Sequence, residues 1–130
     1  RALCRQIRDA HRLLAGVRVT FLDFADLIEA PGRDVFLYLD PPYYHKGNSL
    51  YQVTMTPADH SRLASLLKAT PHRWLLTYDN CPEVRTLYDG AFFYEREWFY
   101  SVSQKVARRA GRELFISNFP VTELRQARLF

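Results

Sequence analysis

Asp40, Pro41, Pro42 and Tyr43 follow one another at the end of the apolar run "VFLYLD", and each brings a different property. Asp40 is a carboxylate placed where a strand should leave its sheet, the position at which open α/β sheets hold ligands. Pro41 and Pro42 each fix φ and remove a backbone donor, which stiffens the loop and leaves its carbonyls to accept from a ligand. Tyr43 adds a flat face on that rigid support, suited to stacking on a planar heterocycle. Acid, carbonyl and aromatic plane together fit an exocyclic amino group on a base. The competing reading is a turn or capping aspartate at Asp40 and a surface tyrosine at Tyr43. Beyond them, Tyr44, Lys46 and Tyr51 offer more aromatic and basic groups. Lys46 either meets a phosphate or stays solvated, and His45 reads as a loop residue.

The elements that must position this loop are legible from periodicity. "DVFLYLD" is nearly unbroken in its apolar character, which predicts a parallel strand covered on both faces. "TPADHSRLASLLKAT" predicts a helix with Thr56 as cap, Pro57 in its first turn and Asp59 closing a capping box. His60, Leu63, Ala64 and Leu67 share one face of that helix. "HRWLLTYDN" is the next strand. "CPEVRTLYDG" is the next helix, with Pro82 in its first turn, Gly90 at its end and Asn80 as a candidate cap.

Upstream, "ALCRQIRDAHRLL" predicts a helix with Leu3, Ile7, Ala10 and Leu14 on one stripe, stopped at Gly16. "VRVTFLDF" alternates as a strand does, and a short helical segment around residues 24 to 29 is closed by Pro31 and Gly32. Near the other end, "AFFYEREWFYSVS" and "RELFISNF" are strand-like and flank the basic loop "QKVARRAG", which suggests an antiparallel pair at a sheet edge. The predicted fold class is α/β, with a mixed sheet in a single domain over residues 1–130.

The chain has 130 residues, enough for one small domain or a piece of one. With 18 Lys and Arg against 14 Asp and Glu its net charge is +4, which suits a polyanionic partner without demanding one. Cys4 and Cys81 make neither a metal-site spacing nor a disulfide framework, so no metal is expected. No signal peptide and no long apolar run stands in the sequence, which makes the cytoplasm the default location and a membrane partner unexpected. The first residue is Arg1 rather than Met, and an upstream segment is expected.

The tetrapeptide Asp40–Tyr43 is similar to the catalytic motif of amino-methyltransferases that use S-adenosylmethionine. The longer "YLDPPYYHKGNSLY", together with "LLTYDNCPEVRTLY" and "GRELFISNF", resembles the Dam-like (D12 class) DNA adenine-N6 methyltransferases. The resemblance runs from about residue 17 onward. Asp as the first letter of the motif favours adenine N6 over glutamine or cytosine N4. The resemblance implies an adenine flipped out of double-stranded DNA. Asp40 and the Pro41 carbonyl would accept its two amino protons while Tyr43 stacks on the base. It also implies that Asp23 and Phe24 contact the adenine of S-adenosylmethionine. The alternative for Asp23 is a helix cap.

Two family features are absent from this sequence: the glycine-rich loop that cradles the cofactor, with its following acid, and the target-recognition region. The implied Rossmann-like sheet, ordered 3-2-1-4-5-7-6, would have "RVTFLDF" as its third strand and "VFLYLD" as its fourth, with no strands to stand between them. Hence the expectation is the catalytic-loop half of a methyltransferase domain with little activity alone. The alternatives are a non-catalytic nucleic-acid-binding remnant using Tyr43, Tyr44, Lys105, Arg108, Arg109 and Arg112, or the same chemistry on RNA or protein.

Overall fold

The computed structural model describes residues 2–45, 54–99 and 110–121. Three helices and four strands form one α/β unit, preceded by helix α1, Ala2–Leu13. Helix α2 spans Phe24–Ile28, strand β1 Phe36–Leu39, helix α3 Pro57–Ala69 and strand β2 Arg73–Asp79. Helix α4 covers Pro82–Leu87, strand β3 Phe92–Phe99 and strand β4 Ala110–Ser117. The sheet order is β1-β2-β4-β3. β1 runs parallel to β2, with Phe36 opposite Arg73 and Leu39 opposite Leu76. β4 is antiparallel to both β2 and β3, so the last hairpin inserts its second strand beside β2.

β2 is the spine of the core. Trp74, Leu76 and Tyr78 alternate onto one face and are buried there with Leu63, Ala64 and Leu67 of α3, Val84 of α4 and Leu114 and Ile116 of β4. The Trp74 indole N–H donates to the Leu67 carbonyl at 2.8 Å, which ties the strand to the last turn of α3. That helix starts as its sequence requires. The Asp59 amide donates to the Thr56 hydroxyl at 3.2 Å, and the Thr56 amide donates to the Asp59 carboxylate at 2.8 Å. Gly16 and Gly90 end their helical segments at φ +89° and +85°, a region in which a Cβ would be strained.

Three expectations need correction. Residues 17–23 form no strand; Val19 is 90% and Phe21 106% exposed. Alternation makes a segment able to pair, but a lone strand leaves its backbone groups without partners and gains nothing. β1 is not covered on both faces: Phe36 and Tyr38 are exposed while Leu37 and Leu39 are half-buried. It is also an edge strand, paired on the β2 side alone among the described residues. Finally, α4 is capped not by Asn80 but by Cys81, whose side chain makes no capping bond; Asn80 Oδ1 instead accepts from Arg85 Nε at 2.9 Å. The apolar stripe of α1 forms as predicted, yet Leu3, Ile7 and Leu14 are exposed. No helix among the described residues is long and apolar enough to cross a membrane.

Candidate active site

Asp40 stands one residue past β1, at the strand's carboxyl end, and is exposed. The parallel register that sets Leu39 beside Leu76 brings Thr77 next to Asp40. The buried Thr77 hydroxyl donates to Asp40 Oδ1 at 2.5 Å, which fixes one carboxylate oxygen. Pro41, Pro42 and Tyr43 follow, all half-buried, with Tyr43 packed against the core. A cleft of about 370 Å³ opens in front of Asp40 and the two prolines, lined also by Phe24, Tyr38 and Met55 among others. Phe24 and the Asp40 loop, far apart in sequence, therefore share one cavity.

Asp23, the other acid singled out in sequence, caps α2: its Oδ1 accepts from the Ala25 amide at 2.8 Å. It also holds Arg62 through two bonds of 2.8 and 3.0 Å. The hydrogen bond from Arg62 is the first reason that its carboxyl lies below the ordinary carboxylate range. Arg62 also covers the Phe24 ring, with its guanidinium carbon 4.7 Å from the centroid. An amino group arriving at Asp23 would thus share oxygens that already accept.

Beyond Tyr43 the loop is held from below. Asp79, buried at the end of β2, accepts from the Tyr44 amide at 2.9 Å and from the His45 amide at 3.2 Å. Its two oxygens satisfy consecutive backbone donors and so define where the loop turns. Replacing Asp79 by Ala leaves both amides unpaired, and the expected loss is about 1–3 kcal/mol of folding stability. The urea midpoint measures that loss. Hydrogen exchange at Tyr44 and His45 checks its origin: unchanged protection at those amides would refute the link.

The Tyr44 ring is half-buried against the His60 imidazole, with centroids 4.8 Å apart. His60 Nδ1 lies 2.5 Å from the Tyr78 hydroxyl. Burial pushes the His60 imidazole below its ordinary value of 6.5, with Asp79 and Asp59 pulling weakly the other way. Burial likewise pushes the Tyr78 hydroxyl far up. His60 is thus neutral in the folded chain at neutral pH. A histidine depressed in this way binds its proton more readily unfolded, so stability is complete above about 6.5 and falls as pH drops below it. The slope from one such group is at most about 1.4 kcal/mol per pH unit. Urea melts at descending pH measure it, and His60→Gln should flatten the curve in that window.

The structure therefore brings together Asp40, Pro41, Pro42 and Phe24 around one cleft, with Asp23 next to Phe24 in the chain; Tyr43 is not among the lining residues and packs against the core. Lys46, Lys105, Arg108 and Arg109 lie outside the described residues. Sequence reasoning did not find Thr77 or Arg62. Nor did it find that Asp79 holds the loop. None of the three carries a local signal, because each acts through a contact across elements.

A family model described as D12 class N6 adenine-specific DNA methyltransferase matches residues 4–102, most of the chain. The matched span includes Asp23, Phe24, the Asp40 loop and Asp79, and ends before β4. No curated protein matches the chain.

Proposed function

The chain belongs to the D12 class of N6 adenine-specific DNA methyltransferases, and we propose that it carries the base-facing part of a site that methylates the N6 amino group of an adenine flipped from duplex DNA. The observation that carries this reading is Asp40, held by Thr77 at the rim of a cleft it shares with Phe24. An adenine amino nitrogen is a poor nucleophile because its lone pair is delocalised into the ring. With Oδ1 fixed by Thr77, Asp40 accepts one amino proton through Oδ2 and the Pro41 carbonyl accepts the other. The lone pair is then localised and aimed. Tyr43 stacks on the base. The reaction needs positioning and preorganised charge, with no covalent link to the protein.

Enzymes of this class use S-adenosylmethionine, which supplies the methyl group as an electrophile. The fit of this cleft to that group is partial. Phe24 and the two prolines present a largely apolar wall suited to its heterocycle, with Asp23 near enough in sequence to take its amino group alongside Arg62. The methionine end has no glycine-rich cradle in this sequence. We therefore read the chain as the catalytic-loop half of a Rossmann-like domain. Two observations support that reading. The order β1-β2-β4-β3 is what remains of 3-2-1-4-5-7-6 once its first three places are removed. The edge of β1 that no described residue pairs is where strand four of that order would meet strand one, and Val19 and Phe21 stand exposed. Duplex DNA is the proposed partner, with Lys46, Lys105, Arg108 and Arg109 as the candidates for phosphate contacts.

Transfer of labelled methyl from S-adenosylmethionine to unmethylated duplex DNA tests the reading, with a duplex already methylated at adenine N6 as control. This chain alone should transfer little, and a longer product containing it should label adenine. Label on cytosine, or on protein instead of DNA, would sink the proposal. The binding-only alternative predicts retention of DNA that weakens between 50 and 200 mM salt, roughly as the number of phosphates neutralised, without transfer by any longer product.

A further inference from the structure

Where the loop after Tyr43 meets the start of α4, three side chains of metal-ligating type converge. His45 Nε2 lies 3.2 Å from Glu83 Oε2. With Cys81 Sγ included, the donor atoms all lie within 4.8 Å of one another. We propose that His45, Cys81 and Glu83 form a binding site for a divalent cation of the zinc type.

The donor set argues for that class of ion. An imidazole nitrogen, a thiolate and a carboxylate suit borderline-soft zinc, whereas magnesium and calcium take oxygen donors. Bonds of about 2.0–2.3 Å in a tetrahedron put donor atoms roughly 3.3–3.8 Å apart, so the group must close by about 1.5 Å at most. Two of the three can move to do so. The His45 and Glu83 side chains are 57% and 44% exposed, while Cys81 is buried and anchored at the N-cap of α4. On coordination the Cys81 thiol releases its proton to solvent.

The surroundings are those of a supported site. Asp79 Oδ2 accepts from the His45 amide and so holds the residue that carries the imidazole. The Cys81 carbonyl accepts from the Arg85 amide at 3.2 Å, inside the first turn of α4. Three protein donors leave a fourth position for water, the arrangement of an exchangeable site rather than a closed structural one. An ion there joins the loop two residues beyond Tyr43 to the beginning of α4. It would stiffen the segment that carries Asp40 without touching the cleft. The sequence shows no such site because a histidine on one loop and a Cys-x-Glu on another make no recognisable spacing.

The test uses the intact chain, stripped with a chelator and titrated with zinc against a chromogenic competitor, and separately with cobalt as a spectroscopic probe. One equivalent should bind, and cobalt should show a thiolate charge-transfer band with tetrahedral visible bands. His45→Ala and Glu83→Gln, both at exposed side chains, should each weaken binding by at least about 100-fold, the upper end of what loss of a supporting partner costs. Cys81→Ser should remove the charge-transfer band, whereas Cys4→Ser should leave it. No binding by the parent chain would overturn the proposal. So would binding that survives in His45→Ala and Glu83→Gln, or a band that disappears with Cys4→Ser. The readout is the metal and not methyl transfer, so a negative result leaves the reading of the cleft as it stands.

Discussion

Asp40→Ala is expected to reduce methyl transfer by a longer product containing this chain at least about 100-fold, the loss that follows removal of one preorganised polar partner of a developing charge. The physical reason is that the acceptor does its work in the transition state, where the amino nitrogen gains positive character as it bonds to the methyl group. An exposed alanine offers no acceptor, and water in its place carries no charge and is not fixed by the backbone. Folding should hardly change. Asp40 is exposed, and the buried Thr77 hydroxyl that loses it keeps the Leu39 carbonyl at 3.4 Å as an acceptor, so the loss is about 1 kcal/mol. A kinetic assay beside a urea melt therefore separates the two effects. Full transfer by the variant would show that the acid of the site lies elsewhere.

The largest expected loss of stability is at Trp74. Trp74→Ala should cost about 3–5 kcal/mol. The indole is buried at the centre of the core on β2, the strand between β1 and β4. Its ring packs at 6.0 Å from that of Tyr88, and its N–H satisfies the Leu67 carbonyl. Truncation opens a cavity that strands on both sides prevent from collapsing, and it strands the carbonyl as well. Domains of this size are stable by only about 5–15 kcal/mol, so much of the folded population is at risk. Phe21→Ala is the control: truncation of an aromatic ring at a fully exposed position should stay within about 0.5 kcal/mol. Denaturant midpoints measure both. A Trp74 variant no less stable than the Phe21 variant would mean that β2 is not the spine of the core.

The two substitutions mark the boundary between what was legible in the residues and what was not. The chemistry of Asp40 to Tyr43 could be read directly because it is local: two prolines fix their own backbone, and an acid and an aromatic ring beside them keep their properties in any fold. The capping box of Thr56 and Asp59 was legible for the same reason, since three residues suffice to make it. The strand at residues 17–23 was misread because alternation describes a face and not a partner. With no strand beside it among the described residues, the same pattern lies open to water. Asn80 was misassigned because a capping residue and a partner for Arg85 look alike until the neighbouring strand supplies Glu95 to hold the other end of that guanidinium.

What the sequence by itself determined is the kind of chemistry and the elements that frame it: a rigid acid and aromatic loop after an apolar strand, a well-capped helix, and a terminal hairpin. Only the tertiary structure decided which residues hold that loop. Thr77 reaches Asp40 through the register of two parallel strands, and Asp79 reaches the Tyr44 and His45 amides across 35 and 34 residues of chain. Hydrogen bonds of that kind depend on where two strand ends come to rest side by side. That placement comes from burying Trp74, Leu76 and Tyr78 against α3, a collective packing solution that no single stretch of residues encodes.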